Sequence, residues 1–271
     1  MLNRQKNHVI EKFREGKQAF GMQMYIPSPE IYECIGWKGF DFVMIDMEHV
    51  RMDYEKLTYL IRIAEMTDMT PFVRVPAPEP KYVRYALEAG ARGVIVPHVK
   101  SAEDVKRAQS ALRFPPEGHA GICPAVRANH YGQPTWEEYM HDSNANTSFV
   151  ALFEDVEAID NVDEILGALK PGRDGFGMGL ADISHALLKE EGEPVNWRHP
   201  YCDEAKKIVI PKAADRGIFN LAMAWDKTPE AINGVIETEH GDAIMFHPDI
   251  ALFDMMLDDI KKAITESNAV K

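Results

Sequence analysis

The stretch that decides the fold runs from residue 40 to residue 98, FDFVMIDMEHVRMDYEKLTYLIRIAEMTDMTPFVRVPAPEPKYVRYALEAGARGVIVPH. Three short runs rich in β-branched and aromatic residues, Phe40 to Ile45, Pro71 to Val75 and Gly93 to Val96, are separated by two longer segments. In those segments, Asp53 to Met66 and Pro80 to Ala89, apolar residues recur at helical spacing. Strand, helix, strand, helix, strand in this order is the pattern of a parallel sheet with crossover helices.

The alternation continues on both sides. Phe20 to Tyr25 precedes the stretch, and Ser148 to Phe153, Gly175 to Met178, Ile218 to Ala222 and Asp242 to Phe246 follow it, which brings the expected strands to eight. Helices are expected over Ala102 to Leu112 and Val156 to Leu169, opened by Ser101-x-x-Asp104 and by Asp155, side chains suited to the free N–H groups of a first turn. An open doubly wound sheet is the alternative to a closed (β/α)8 TIM barrel. Two observations favour the barrel. No strand runs into a G-x-G-x-x-G turn, since Gly175-Phe-Gly-Met-Gly179 has the wrong spacing. Polar residues also crowd at strand ends, where a barrel gathers its catalytic groups. One domain over residues 1–271 is expected, and Phe114 to Thr147, too long for an ordinary βα loop, reads as a functional loop or lid.

Composition narrows the partners. The net charge is −13, from 43 acidic and 30 basic residues, and no basic run is longer than a pair such as Lys206-Lys207, so neither nucleic acid nor an anionic membrane is expected. Cys34, Cys123 and Cys202 fit neither a disulfide framework nor a CxxC metal site, and a reducing cytoplasm is the compartment they suggest. The opening MLNRQKNHVIEKFREGK is charged and helix-like, and no apolar run approaches membrane-spanning length.

The second expected strand leads into Ile45-Asp-Met-Glu-His49, the third carries Arg74, the fifth runs into Glu154 and the sixth leads to Ala181-Asp182. Barrel closure would bring these to one rim. Two carboxylates from neighbouring strands, faced by a histidine and an arginine, suit a hard cation with a base and an anion clamp. Oxygen ligands favour Mg2+, Mn2+ or Co2+ over a structural zinc. Structural readings compete at each position. Asp182 could as well be the N-cap of the helix that follows; that reading is weaker for Glu154, which directly ends an apolar strand. His49 is otherwise a hydrogen-bonded turn residue, His98 either a satisfied neighbour or a polar wall, and Arg74 the partner of a nearby acid.

Taken together, several ordered motifs resemble the HpcH/HpaI aldolases, metal-dependent class II pyruvate aldolases of the 2-dehydro-3-deoxyglucarate and 4-hydroxy-2-oxoheptanedioate aldolase type. They are Phe40-Asp-Phe-Val-Met-Ile-Asp-Met-Glu-His49, Val73-Arg-Val-Pro76, Ala89-Gly-Ala-Arg-Gly-Val-Ile-Val-Pro-His98, Arg127-Ala-Asn-His-Tyr-Gly132 and Gly177-Met-Gly-Leu-Ala-Asp-Ile-Ser184. The resemblance implies a barrel of the phosphoenolpyruvate/pyruvate superfamily type. It also implies metal ligands at Glu154 and Asp182, a histidine base at His49 with the acid Glu48 before it, and substrate-binding positions at Arg74, Gly179, Ala181 and Asp182. The implied reaction is cleavage of a 4-hydroxy-2-oxo acid to pyruvate and an aldehyde through an enolate, with no lysine Schiff base.

Some positions depart from the family pattern. The Asp that pairs with the base histidine is Glu88 here, a glutamine two residues before the metal Glu is Leu152, a G-x-R-G loop reads Gly118-His-Ala-Gly121, and the eighth strand ends Ile244-Met-Phe-His-Pro248. The metal core is kept and the substrate shell is changed. A decarboxylase or an acyl-CoA lyase using the same enolate chemistry, and a non-catalytic barrel that binds a 2-oxo acid, are the competing functions. The sequence shows no basic cluster for CoA. The resemblance further implies a homo-oligomer, a hexamer, with the C-terminal helix on a neighbour; the apolar face of Ile250 to Ile264 is compatible with that and equally with an ordinary barrel helix.

Overall fold

The computed structural model describes residues 6–188, 190 and 193–267. Strands β1 (Ala19–Met24), β2 (Phe42–Asp46), β3 (Thr70–Arg74), β4 (Gly93–Val96), β5 (Ser148–Phe153), β6 (Gly175–Met178), β7 (Phe219–Ala224) and β8 (Ala243–Phe246) pair in sequence order, all parallel. β8 returns to β1, Ala19 opposite Ala243, and the sheet closes into an eight-stranded barrel. The helices are α1 (His8–Arg14), α2 (Pro29–Trp37), α3 (Tyr54–Met66), α4 (Pro80–Ala89), α5 (Ala102–Gln109), α6 (Trp136–Asn146), α7 (Val156–Asp160), α8 (Val162–Ala168), α9 (Leu180–Ala186), α10 (Pro200–Asp215), α11 (Pro229–Glu239) and α12 (Asp249–Glu266). None of the described helices is long and apolar enough to cross a membrane.

Local chemistry sets these boundaries. Asp53 caps α3 by accepting the Lys56 N–H at 2.8 Å, and Ser101 caps α5 by accepting that of Asp104 at 3.2 Å. Asp155 makes no such bond at the start of α7, because its carboxylate is engaged by His98 at 3.1 Å and Lys100 at 3.0 Å. The single helix expected over Val156 to Leu169 is two, divided at Asn161, whose side-chain amide donates to the Lys100 carbonyl at 2.9 Å.

Alternate strand residues point inward and outward. Outward-facing Val43, Ile45, Val73, Val94, Val96 and Phe149 share a core with Leu57, Leu60 and Ile61 of α3 and Val83 of α4. Inside, Phe42, Phe72, Phe219, Met44, Leu221 and Met245 fill the barrel, with Val9 and Phe13 of α1 packed on the same cluster. Three glycines make room for the rings. A Cβ on Gly21, Gly93 or Gly175 would lie 2.7, 2.1 or 2.2 Å from ring carbons of Phe42, Phe72 and Phe219, its cross-strand partners. Small against large on adjacent strands is how a closed barrel fills its centre with side chains.

The segment from Phe114 to Thr147 is no lid. It carries a 3-10 turn (Arg127–Asn129) and α6, and it joins the end of α5 to the start of β5, which places it at the N-terminal end of the barrel. Arg127 ties it down by pairing with Glu65 in the last turn of α3 and by donating to the Ala89 carbonyl at the end of α4, 2.8 Å away. Beneath it the fully buried Arg113 meets Asp174 at 2.5 Å and donates to the Thr147 carbonyl at 2.7 Å.

Candidate active site

At the opposite end of the barrel the strand ends surround a cavity of about 460 Å³. His49, Arg74, Glu154, Gly179, Ala181 and Asp182 all line it. Glu48 stands directly behind, in contact with both Arg74 and His49. Glu88 does not join them: it lies near the end of α4 beside Arg84, at 4.0 Å, so within one chain it does not reach the imidazole of His49.

Arg74 ends β3, and its ladder partner on β2 is Asp46. Asp46 is fully buried; Oδ2 accepts from Nη2 of Arg74, while Oδ1 accepts the N–H groups of Glu48 at 2.8 Å and His49 at 3.0 Å. One carboxylate thus aims the guanidinium and folds the turn that presents His49. Nη1 of Arg74 lies 3.2 Å from Glu48 Oε2, and Nη2 also donates to the Tyr25 hydroxyl at 3.2 Å. Burial opposes charging the guanidinium, but Asp46, Glu48 and Tyr25 outweigh it and hold its pKa above the ordinary value. Asp46 and Tyr25 were missed in the sequence. The available signal was an acid closing an apolar strand next to the strand that carries Arg74.

Glu154 follows β5 and is 3% exposed. Its Oε1 accepts the backbone N–H of His98 at 2.7 Å, aimed there by a left-handed backbone at His98, φ 51°, a conformation uncommon outside glycine. The His98 ring stands among three carboxylates: Nδ1 is 3.1 Å from Asp155 and 3.6 Å from Glu154, and Nε2 is 3.7 Å from Glu48. Burial lowers its pKa, yet the hydrogen bond to Asp155 and the charges of Glu154, Asp155 and Glu48 bring the net shift upward. Burial is also the main cause of the raised Glu48 pKa, partly offset by Arg74 and His49.

Asp182 is the third residue of α9, whose N-cap position is Gly179, so the N-cap reading of Asp182 does not hold. Its exposed carboxylate lines the same cavity as Glu154. Glu154 is pushed up to about 7, first by burial, with the charges of Glu48 and Asp182 adding to it. A carboxylate that burial first, and two neighbouring acids second, keep from ionising is one that a bound divalent cation would help to charge. Glu48, His98 and Glu154 also offer ligand atoms within 4.8 Å of one another. Gly179 completes the cradle, since a Cβ there would stand 2.6 Å from the Cβ of Glu154 and 2.7 Å from its Oε2. The donor set fits a divalent metal.

The remaining walls are apolar and aromatic. Met44, Leu152, Leu221, Met223 and Met245 form the floor. Trp197, Trp225 and His247 stand on the side of β7 and β8, with ring centroids 5.2 Å apart for the two indoles and 5.1 Å for Trp225 and His247. His247 Nε2 is 2.6 Å from the Trp225 carbonyl, which can only accept, so that nitrogen carries the proton.

Comparison with known proteins agrees with this geometry. The family model for HpcH/HpaI aldolase/citrate lyase matches residues 21–237. A 2-dehydro-3,6-dideoxy-6-sulfogluconate aldolase of Pseudomonas putida is 35% identical over 180 residues, 66% of this chain and 68% of the relative. A 5-keto-4-deoxy-D-glucarate aldolase of Salmonella paratyphi A is 32% identical over 192 residues, 71% of this chain and 72% of the relative. Among solved structures, a HpcH/HpaI aldolase/citrate lyase family protein from Burkholderia cenocepacia superposes with a TM-score of 0.84 at 26% identity, covering 96% of this chain and 100% of that one.

Proposed function

Since the chain belongs to the HpcH/HpaI aldolase/citrate lyase family and is a carbon–carbon lyase of the aldolase kind, we propose that it cleaves a 4-hydroxy-2-oxo acid to pyruvate and an aldehyde. The observation that carries this reading is the convergence of Glu154, Asp182, Arg74 and His49 on one cavity at the C-terminal end of the barrel.

Arg74 is the residue for the 2-oxo carboxylic acid end. Its guanidinium is fixed by Asp46, Glu48 and Tyr25, so it meets the developing negative charge on the 2-oxygen without reorganising. His49 is the general base: its ring is half-exposed to the cavity, 3.7 Å from Glu48, and takes the proton of the 4-hydroxyl as the C3–C4 bond breaks. Glu154 and Asp182 would hold Mg2+, Mn2+ or Co2+, with Glu48 and His98 offering further donor atoms beside Glu154, and the bound cation would supply Lewis-acid polarisation of the 2-oxo group. The backbone of Gly179 to Asp182 walls this end and positions the substrate.

Pyruvate release from 4-hydroxy-2-oxo acids, followed with a coupled lactate dehydrogenase, tests the reading. Release should require a divalent metal, stop on chelation and return when metal is restored. Metal-independent release, or none with any of the three cations, would contradict it.

The working form proposed is a homo-oligomer in a reducing cytoplasm, with a hexamer as the expected state. Its support is α12, exposed throughout residues 253–266, where Phe253, Met255, Met256, Leu257, Ile260 and Ile264 are each 45% to 49% exposed. A large apolar surface of this kind belongs against a partner. Three free cysteines, Cys34, Cys123 and Cys202, suit the compartment.

A further inference from the structure

The cavity is richer in apolar and aromatic groups on the side of β7 and β8. Arg74, Glu154, Asp182 and His49 come from β2, β3, β5 and β6 and the loops that follow them, whereas Met223, Met245 and Trp225 come from β7, β8 and the end of β7, with Trp197 against Trp225; on that second side the charged lining is the Lys206–Glu239 pair. The two indoles are 49% and 48% exposed, a large apolar area left at the mouth of a polar site. They meet edge to face at 60°, and the His247 ring stands at 78° to Trp225, so the three form a continuous edge-to-face wall. Two polar side chains on the side of the indoles are turned towards Glu239. Lys206 is paired with Glu239 at 2.6 Å, and the Asn220 side-chain amide donates to the Glu239 carbonyl at 2.7 Å. Leu152 puts a branched alkyl group on the floor, two residues from Glu154.

Resting on the aldolase reading above, we infer that the aldehyde half of the substrate carries an uncharged aromatic group, which packs against Trp197 and Trp225 over the methionine floor. The substrate is then a 4-aryl-4-hydroxy-2-oxobutanoate. In cleavage the 4-hydroxyl proton passes to His49, the C4–O bond becomes the carbonyl of the aryl aldehyde, and the C3–C4 electron pair becomes the enolate of pyruvate, which takes a proton from solvent at C3. An aromatic ring fits this wall because offset and edge-on contacts between aromatic rings add to the area buried, and methionine adapts to ring edges.

The test measures kcat/KM of the full-length assembly for pyruvate with benzaldehyde, glycolaldehyde and glyoxylate as acceptors, with Mn2+ present. Deuterium exchange into the pyruvate methyl group is recorded separately. Benzaldehyde should exceed the other two by at least about tenfold, the scale on which an apolar pocket discriminates. Trp225→Ala and Trp197→Ala should each cut that ratio about tenfold, mainly through the KM for benzaldehyde. Preference for glycolaldehyde or glyoxylate, with exchange present, would overturn the aromatic assignment and leave the aldolase reading standing. Absence of exchange in the wild-type protein would remove both. A Trp225→Ala variant that lost its assembly and slowed equally with every acceptor would show that a second copy of the chain covers the indoles, which also overturns the proposal.

Discussion

Asp46 governs the site without lining it. Its two oxygens divide between the Arg74 guanidinium and the turn that presents His49, and it is fully buried. In Asp46→Asn the turn contacts can persist while Arg74 loses its buried counter-charge, so stability should fall by about 3 kcal/mol in urea unfolding. KM for the oxo acid should rise in parallel. At Gly179 the space is set by Glu154, whose Cβ is 2.6 Å from where a methyl would sit. Gly179→Ala should therefore weaken Mn2+ binding by about 10- to 100-fold in calorimetric titration, because the added carbon displaces a ligand's carboxylate. That Glu154, Asp182, Arg74 and His49 share one cavity was legible because each sits at or just past a strand end, which in a barrel fixes its neighbourhood. Asp46 also closes its strand, but the histidine and glutamate just after it carried the more familiar chemistry, and a fully buried acid acts only through the groups that it holds. Glu88 lies near the end of α4 beside Arg84, away from the His49 of its own chain, which its helical spacing alone does not say.

The strands themselves are held by complementary pairs of glycine and phenylalanine. Phe72 crosses the Gly93 position so closely that a Cβ would be 2.1 Å from its ring. Gly93→Ala should cost about 1–3 kcal/mol of stability by thermal or urea unfolding, and trimming Phe72 to Leu in the same chain should recover part of it. A general effect of alanine on strand propensity would leave the double variant no better than the single one. At this scale the sequence was informative: β4, β5 and β6 begin and end where composition placed them, because each apolar run is bounded by residues whose backbone groups or charges leave the sheet. The helix after β5 was read as one because its apolar spacing runs through Asn161, and spacing carries no record of the contact between Asn161 and Lys100.

Over the whole molecule the two ends of the barrel have separate duties. The N-terminal end is closed by α1 and the 114–147 segment, pinned through Arg113, Asp174, Arg127 and Glu65. Length and polarity of that segment signalled a special loop, but its place between a helix and the strand that follows puts it at the end of the barrel opposite the cavity. The outward face of α12 makes a further prediction: Leu257→Lys with Ile260→Lys should shift the protein to smaller species in sedimentation velocity, since two charges placed in an apolar contact go unpaired. Unchanged sedimentation would assign that face to solvent. The C-terminal end is where the chemistry gathers, and the most direct test of it is independent of the aldehyde. Deuterium exchange into the methyl group of pyruvate should proceed with Mg2+ or Mn2+, stop with chelator, and be lost with Mn2+ affinity in both Glu154→Gln and Asp182→Asn. Exchange and Mn2+ binding that persisted unchanged in those two variants would contradict a metal-assisted pyruvate aldolase built on Glu154 and Asp182.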